Sequence, residues 1–143
     1  MDFFKLNAGD TIFAMRKGYI AAVPNMYHDA DRISAKESLE IIHKDETIMI
    51  YENIDPGKVF VKPGDTVIPG QPIGLINFNG VLEVYLYVLD KEWVLRRLEI
   101  NYYLGDNRIE TFSSNMKEVI IEYPKKIITK ELTNRELKKT GIQ

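Results

Sequence analysis

The stretch VKPGDTVIPGQPIGLI, Val61 to Ile76, decides the fold. Pro63-Gly64-Asp65 and Pro69-Gly70-Gln71-Pro72 are turn signals, because proline presets φ and glycine supplies the positive φ that tight turns need. Between them Thr66, Val67 and Ile68 have room for only a very short strand. Such a strand has to be pinned between longer ones, because the three prolines confine this region to edges, strand starts and bulges. After the second corner the chain enters an apolar run, Pro72-Ile73-Gly74-Leu75-Ile76, that suits burial.

The flanking segments read as β structure. Thr11–Ala14 and Gly18–Val23 are expected to form a first pair, followed by a polar loop over Asn25–Ser38. Leu39–His43 and Thr47–Glu52 read as a hairpin around Lys44-Asp45-Glu46, and Val59–Val61 leads into the corner. Val81–Leu89 alternates, with Leu82, Val84, Leu86 and Val88 on one face and Val81, Glu83, Tyr85 and Tyr87 on the other. Asp90–Leu98, with Trp93, Leu95 and Leu98, suits a helical turn or a loop cover. Beyond it, Glu99–Leu104 and Arg108–Phe112 flank the turn residues Gly105-Asp106-Asn107 as a second hairpin. Glu118–Tyr123 reads as a strand stopped by Pro124. Thr133 and Glu136 fit a capping box, with Leu132 and Leu137 as the accompanying hydrophobic staple, so a short helix closes the chain.

In that order and spacing the chain resembles the LytM and lysostaphin-type zinc endopeptidases. Ala8–Ala14 with Lys17–Ile20 is similar to their opening strand pair. Leu39–Thr47 is similar to their "V-x-I-x-H-x-D-G-T" hairpin, Ile50–Ile54 to "L-Y-A-H-L", and Leu82–Tyr85 to the end of "H-L-H-F-E-V". The resemblance covers residues 2–89. It implies an all-β barrel-sandwich hybrid, the duplicated hybrid motif, over 1–89. Residues 90–143 are then expected as a β-hairpin extension and short terminal helix packed on the same domain.

The resemblance also implies a zinc site, and the residues at its positions do not supply one. The aspartate ligand falls at Phe3; Asp2 would serve only after a one-residue slip that turns its side chain to the other face. The first histidine would lie before Met1, the H-x-H pair falls on Asn79 and Val81, and the "A-H-L" histidine on Asn53. A tetrahedral site with one open position cannot be built from these groups, and asparagine cannot exchange a proton near neutral pH as histidine does. Of the two remaining histidines, His43 sits where the family has a histidine that is not a ligand, and His28 lies in a loop flanked by Asp29 and Asp31 whose neighbouring side chains diverge. No cysteine is present, so neither a thiolate nucleophile nor a cysteine zinc site exists.

The other carrier of this turn pattern, a biotinyl or lipoyl domain, needs a lysine on a tight turn, and residues 63–90 contain none. With 19 basic and 21 acidic residues, the composition points to neither a nucleic-acid surface nor a membrane-binding basic face. No run approaches the roughly 18 apolar residues of a membrane span. No signal peptide stands at Met1, whereas the resemblance implies a protein of the bacterial envelope, secreted or periplasmic; the abrupt start at the first strand fits an excised domain.

The expectation from sequence is therefore a peptidase-like module without catalysis or cofactor, acting in binding, scaffolding or regulation of cell-wall enzymes. Some degenerate LytM domains activate cell-wall amidases by binding them, and the resemblance implies a partner of that kind or a cell-wall peptide or glycan. Asn53, Asn79, Glu83, Tyr85 and Tyr87 would floor the groove. Alternate tyrosines on a strand are more often half-buried sheet packing. The competing class is an active zinc endopeptidase whose missing ligands come from outside this chain.

Overall fold

A computed structural model describes residues 2–25, 38–103, 109–111 and 129–140. The chain divides into two compact units, Met1–Leu98 and Glu99–Gln143.

In the first unit, the described strands are β1 (Asp2–Lys5), β2 (Thr11–Phe13), β3 (Gly18–Ala22), β4 (Leu39–Ile42), β5 (Thr47–Glu52), β6 (Ile54–Val59), β7 (Thr66–Val67), β8 (Pro72–Ile76), β9 (Val81–Leu89) and β10 (Leu95–Leu98). They form two antiparallel sheets. The larger runs β1-β9-β5-β4-β3-β7, with β10 also paired to β9; the smaller runs β2-β8-β6. The core lies where Ile20, Leu39, Ile41, Met49, Tyr51, Val67, Leu82 and Val84 of the large sheet and Ile12, Ile54, Ile73 and Ile76 of the small one are buried. Tyr51 is fully buried, and its hydroxyl oxygen accepts a hydrogen bond from the Met15 N–H at 2.9 Å, tying the large sheet to the segment that leaves β2.

The corner-rich stretch joins the two sheets. At the first corner Gly64 N–H donates to Ile20 O and Ile20 N–H to Asp65 O, fastening the turn to β3. At the second, Gly70 N–H donates to Ala14 O and Ala14 N–H to Gln71 O, fastening the next turn to the end of β2. Gly64 and Gly70 have φ of 93° and 79°, the left-handed conformation the turn signals require.

Three expectations are corrected. The segments read as a first pair are not partners: β2 pairs with β8, and β3 with β4 and β7, because the chain changes sheets at Ala14–Lys17. The short strand β7 is not pinned between longer ones but pairs with β3 at the sheet's end, the position proline-flanked residues tolerate. Asp90–Leu98 is neither helical turn nor cover. Residues 90–94 close a hairpin and β10 pairs with the far half of β9, so the first unit extends past Leu89. The β4–β5 hairpin forms as read, with Thr47 N–H and Oγ1 donating to Asp45 Oδ1 and Arg16 bridging to Asp45 at 3.1 Å.

In the second unit, β11 (Asn101–Tyr103) and β12 (Ile109–Thr111) pair antiparallel. A 3-10 turn, Thr129–Glu131, precedes helix α1, Asn134–Thr140. The capping box forms: Thr133 N–H donates to Glu136 Oε2 at 2.7 Å, and Glu136 N–H to Thr133 Oγ1 at 3.4 Å. The expected strand at 118–123, the turn at 105–107 and His28 lie outside the described residues.

Candidate functional site

Strand alternation gives the large sheet one face toward the core and one toward solvent. On β9 the register sets Leu82 and Val84 inward and Val81, Glu83, Tyr85 and Tyr87 outward. Cross-strand partners share a face, so the open surface can be read in rows. In one row Phe3, Glu83 and Glu52 stand opposite one another on β1, β9 and β5. In the next, Tyr85 faces Ile50, which faces Glu40. A third crosses most of the sheet as Arg97, Tyr87, Ile48, Ile42 and Tyr19.

The first row is electrostatically strained. Burial, and then the charge of Glu83 directly across the ladder, push the Glu52 carboxyl above its ordinary range. Glu83 is held from two sides: Tyr85 Oη donates to Oε2 at 3.0 Å and Asn53 Nδ2 to Oε1 at 3.5 Å. Burial, the hydrogen bond given to Glu83 and the two nearby carboxylates all raise the Tyr85 hydroxyl, so it stays a neutral donor. The Tyr85 and Tyr87 rings stack with centroids 6.2 Å apart, and the Arg97 guanidinium lies 5.7 Å from the Tyr85 centroid.

Of the five residues expected to line a groove, the structure brings four together: Asn53, Glu83, Tyr85 and Tyr87. Asn79 occupies the β8–β9 turn, where its N–H donates to Asn77 Oδ1, and it does not enter the hydrogen bonds joining the others. Asn53 has φ of 68°; its Nδ2 donates to Val81 O at 2.9 Å and its carbonyl accepts the Asn77 N–H at 2.8 Å. It therefore stitches the β5–β6 corner to β9.

The zinc-ligand positions can now be tested for fit. Phe3 stands opposite Glu83 on the open face, 55% exposed, whereas Asp2 pairs with Val84 and so shares the other face. Val81 is on the open face too, opposite Lys5. Neither Phe3 nor Val81 carries a lone pair, and the amide of Asn53 is engaged, so these groups do not fit a zinc ion. Among the described residues, no three His, Asp or Glu side chains group closely enough to hold a metal. His43 is buried, with Nδ1 2.8 Å from Lys17 O, which makes it part of the packing at the end of β4.

Sequence reasoning missed Glu52, Ile48, Ile50 and Arg97. Thr47–Glu52 is apolar on both faces, so its alternation is masked, although Glu52 lies an even number of residues from Ile48 and Ile50. Arg97 could be placed only by knowing that β10 returns along β9.

No protein-family model matches the chain, and no curated protein matches it. Among solved structures it is similar to the catalytic domain of the antimicrobial peptidase lysostaphin from Staphylococcus simulans, crystallized in the absence of phosphate. The identity is 20%, covering 66% of this chain and 71% of that one, with a TM-score of 0.51. The fold is that of the lysostaphin catalytic domain. It is also similar to the solution structure of lysostaphin at 25% identity and TM-score 0.49, covering 62% of this chain but 36% of that one, well short of the whole lysostaphin chain.

Proposed function

We propose that this chain is a non-catalytic, peptidase-like module of the bacterial envelope that works by binding through the open face of its large sheet. The observation that carries this reading is the row Phe3–Glu83–Glu52. A phenyl ring stands where the resemblance requires a ligand carboxylate, while the polar groups beside it are engaged with one another. Tyr85, Tyr87 and Arg97 offer flat stacking area and hydrogen-bonding groups at small entropic cost, which suits a cell-wall peptide or glycan, or an envelope protein. The likeness to lysostaphin's catalytic domain supports a place outside the cytoplasm. Among the described residues, no helix is long and apolar enough to cross a membrane.

The deciding experiment is elemental analysis of purified protein together with a hydrolysis assay on glycine-rich and cell-wall peptides. Zinc well below one per chain and no cleavage are expected. A tightly held ion near one per chain, or peptide cleavage, would overturn the reading in favour of a zinc endopeptidase.

A further inference from the structure

The β9–β10 hairpin carries two costs, one in backbone conformation and one in exposed apolar surface. Trp93 adopts φ of 62°, a left-handed conformation that disfavours bulky residues and that glycine or asparagine would occupy with little strain. Its side chain is also 82% exposed, beside Val94 at 48% and Leu95 at 53%. Across the ladder Leu95 faces Leu89, itself exposed, so the apolar patch continues from the turn onto the sheet.

The loop is nevertheless well built. Asp90 Oδ1 accepts the N–H groups of Glu92 and Val94, Asp90 N–H donates to Val94 O, and Trp93 N–H donates to Asp90 O. Arg96 Nε donates to Asp90 Oδ2 at 2.5 Å. The hydrogen bonds its carboxylate accepts, from Val94 N–H first and then from Arg96 and Glu92, hold the Asp90 carboxyl below its usual range, so it remains an ionised acceptor that keeps the turn closed. The strained indole is thus displayed on an ordered turn.

We infer that this hairpin tip is a docking point for an anionic lipid surface. The exposed residues project from a turn, and two of the three are aliphatic. A sugar ring is gripped by one flat platform with hydrogen-bonding neighbours, whereas contiguous Trp, Val and Leu suit the boundary between headgroups and acyl chains, where tryptophan is favoured. Residues 90–97 set three basic side chains, Lys91, Arg96 and Arg97, against two acidic ones, Asp90 and Glu92; Arg96 is shared by those two carboxylates, and Lys91 and Arg97 leave one net positive charge beside the patch to meet anionic headgroups.

Trp93 is the chain's one tryptophan, so its fluorescence reports on this site alone. On adding phosphatidylcholine vesicles containing phosphatidylglycerol, the emission should shift to the blue and be quenched by brominated acyl chains. Pure phosphatidylcholine should give a weaker response, and added salt should reduce the anionic one. Trp93→Gly should melt no lower than the parent, since the turn prefers glycine, while its co-sedimentation with anionic vesicles falls by at least about tenfold, the weight of one buried aromatic. No spectral response to either vesicle would overturn the inference. So would a response only to soluble cell-wall fragments or to a protein, or a lower melting temperature for Trp93→Gly, which would make the indole internal packing.

Discussion

Glu52 and Glu83 stand directly opposite on β5 and β9, two carboxylates paired in one antiparallel ladder. Like charges so placed oppose pairing, and burial adds to the cost of ionising Glu52. Because the folded-state value for Glu52 lies above its ordinary 4.5, the native state holds the proton over a window in which the unfolded chain has released it. Stability therefore falls as pH rises from about 4.5 through the folded-state value, and the deficit persists above it. Glu52→Gln should raise stability at neutral pH by about 0.2–1 kcal/mol, with the gain shrinking below about pH 4.5. Urea melts across that range check it. A gain independent of pH would mean that the charge pair is not its source.

The glycines of the strand corners and the glycine of β3 should fail differently. A Cβ on Gly64 or Gly70 meets nothing within 4 Å, so the cost of alanine is conformational, about 1 kcal/mol. Asparagine, which tolerates a left-handed φ, should cost less there. At Gly18 a Cβ would overlap the Ile41 Cγ2 methyl and stand 2.8 Å from Ile42 O, so alanine should cost about 1–3 kcal/mol or more, and asparagine more again. Thermal melts of the six variants should therefore rank alanine and asparagine in opposite orders at the two kinds of site. The same order everywhere would mean that one of the two causes is misassigned.

What the sequence made legible was local. Gly64 and Gly70 announce their turns, Thr133 and Glu136 their capping box, and the alternation from Val81 to Leu89 its two faces, because each signal depends on residues a few positions apart. What it hid was which strands pair. Nothing near Ile12 says that it will face Gly74 in a second sheet, and nothing in Leu95–Leu98 says that this segment returns along β9. The floor of the candidate site inherits that division. Glu83, Tyr85 and Tyr87 follow from one strand's period, whereas Phe3, Glu52 and Arg97 reach the same surface only through pairing.

Asn53 is held in place by two separable structural demands. Its left-handed φ and its bond to Val81 O make separable contributions. Asn53→Gly keeps the backbone at ease and loses the side-chain bond, for about 1 kcal/mol. Asn53→Ala loses both, for about 2 kcal/mol. Denaturant melts should place the variants in that order. If alanine is tolerated as well as glycine, the corner does not depend on this conformation.

The pair Tyr85 and Tyr87 tests the proposed binding face. Both side chains are half-buried, stacked on each other and, for Tyr85, under the Arg97 guanidinium. Full burial of two aromatics would make their joint loss ruinous, at roughly 3–5 kcal/mol each. Half-burial on an open face should limit replacement of both by serine to about 1–3 kcal/mol in total, leaving a folded protein with a lower melting temperature. That variant should lose affinity for soluble cell-wall fragments or an envelope protein captured by the parent chain, as read by calorimetry or pull-down. Its Trp93 emission should still respond to anionic vesicles, because the hairpin tip is built from its own turn bonds. An unfolded double variant would make these tyrosines core residues and remove the groove. A folded variant that binds as the parent does would place the binding surface elsewhere on the module.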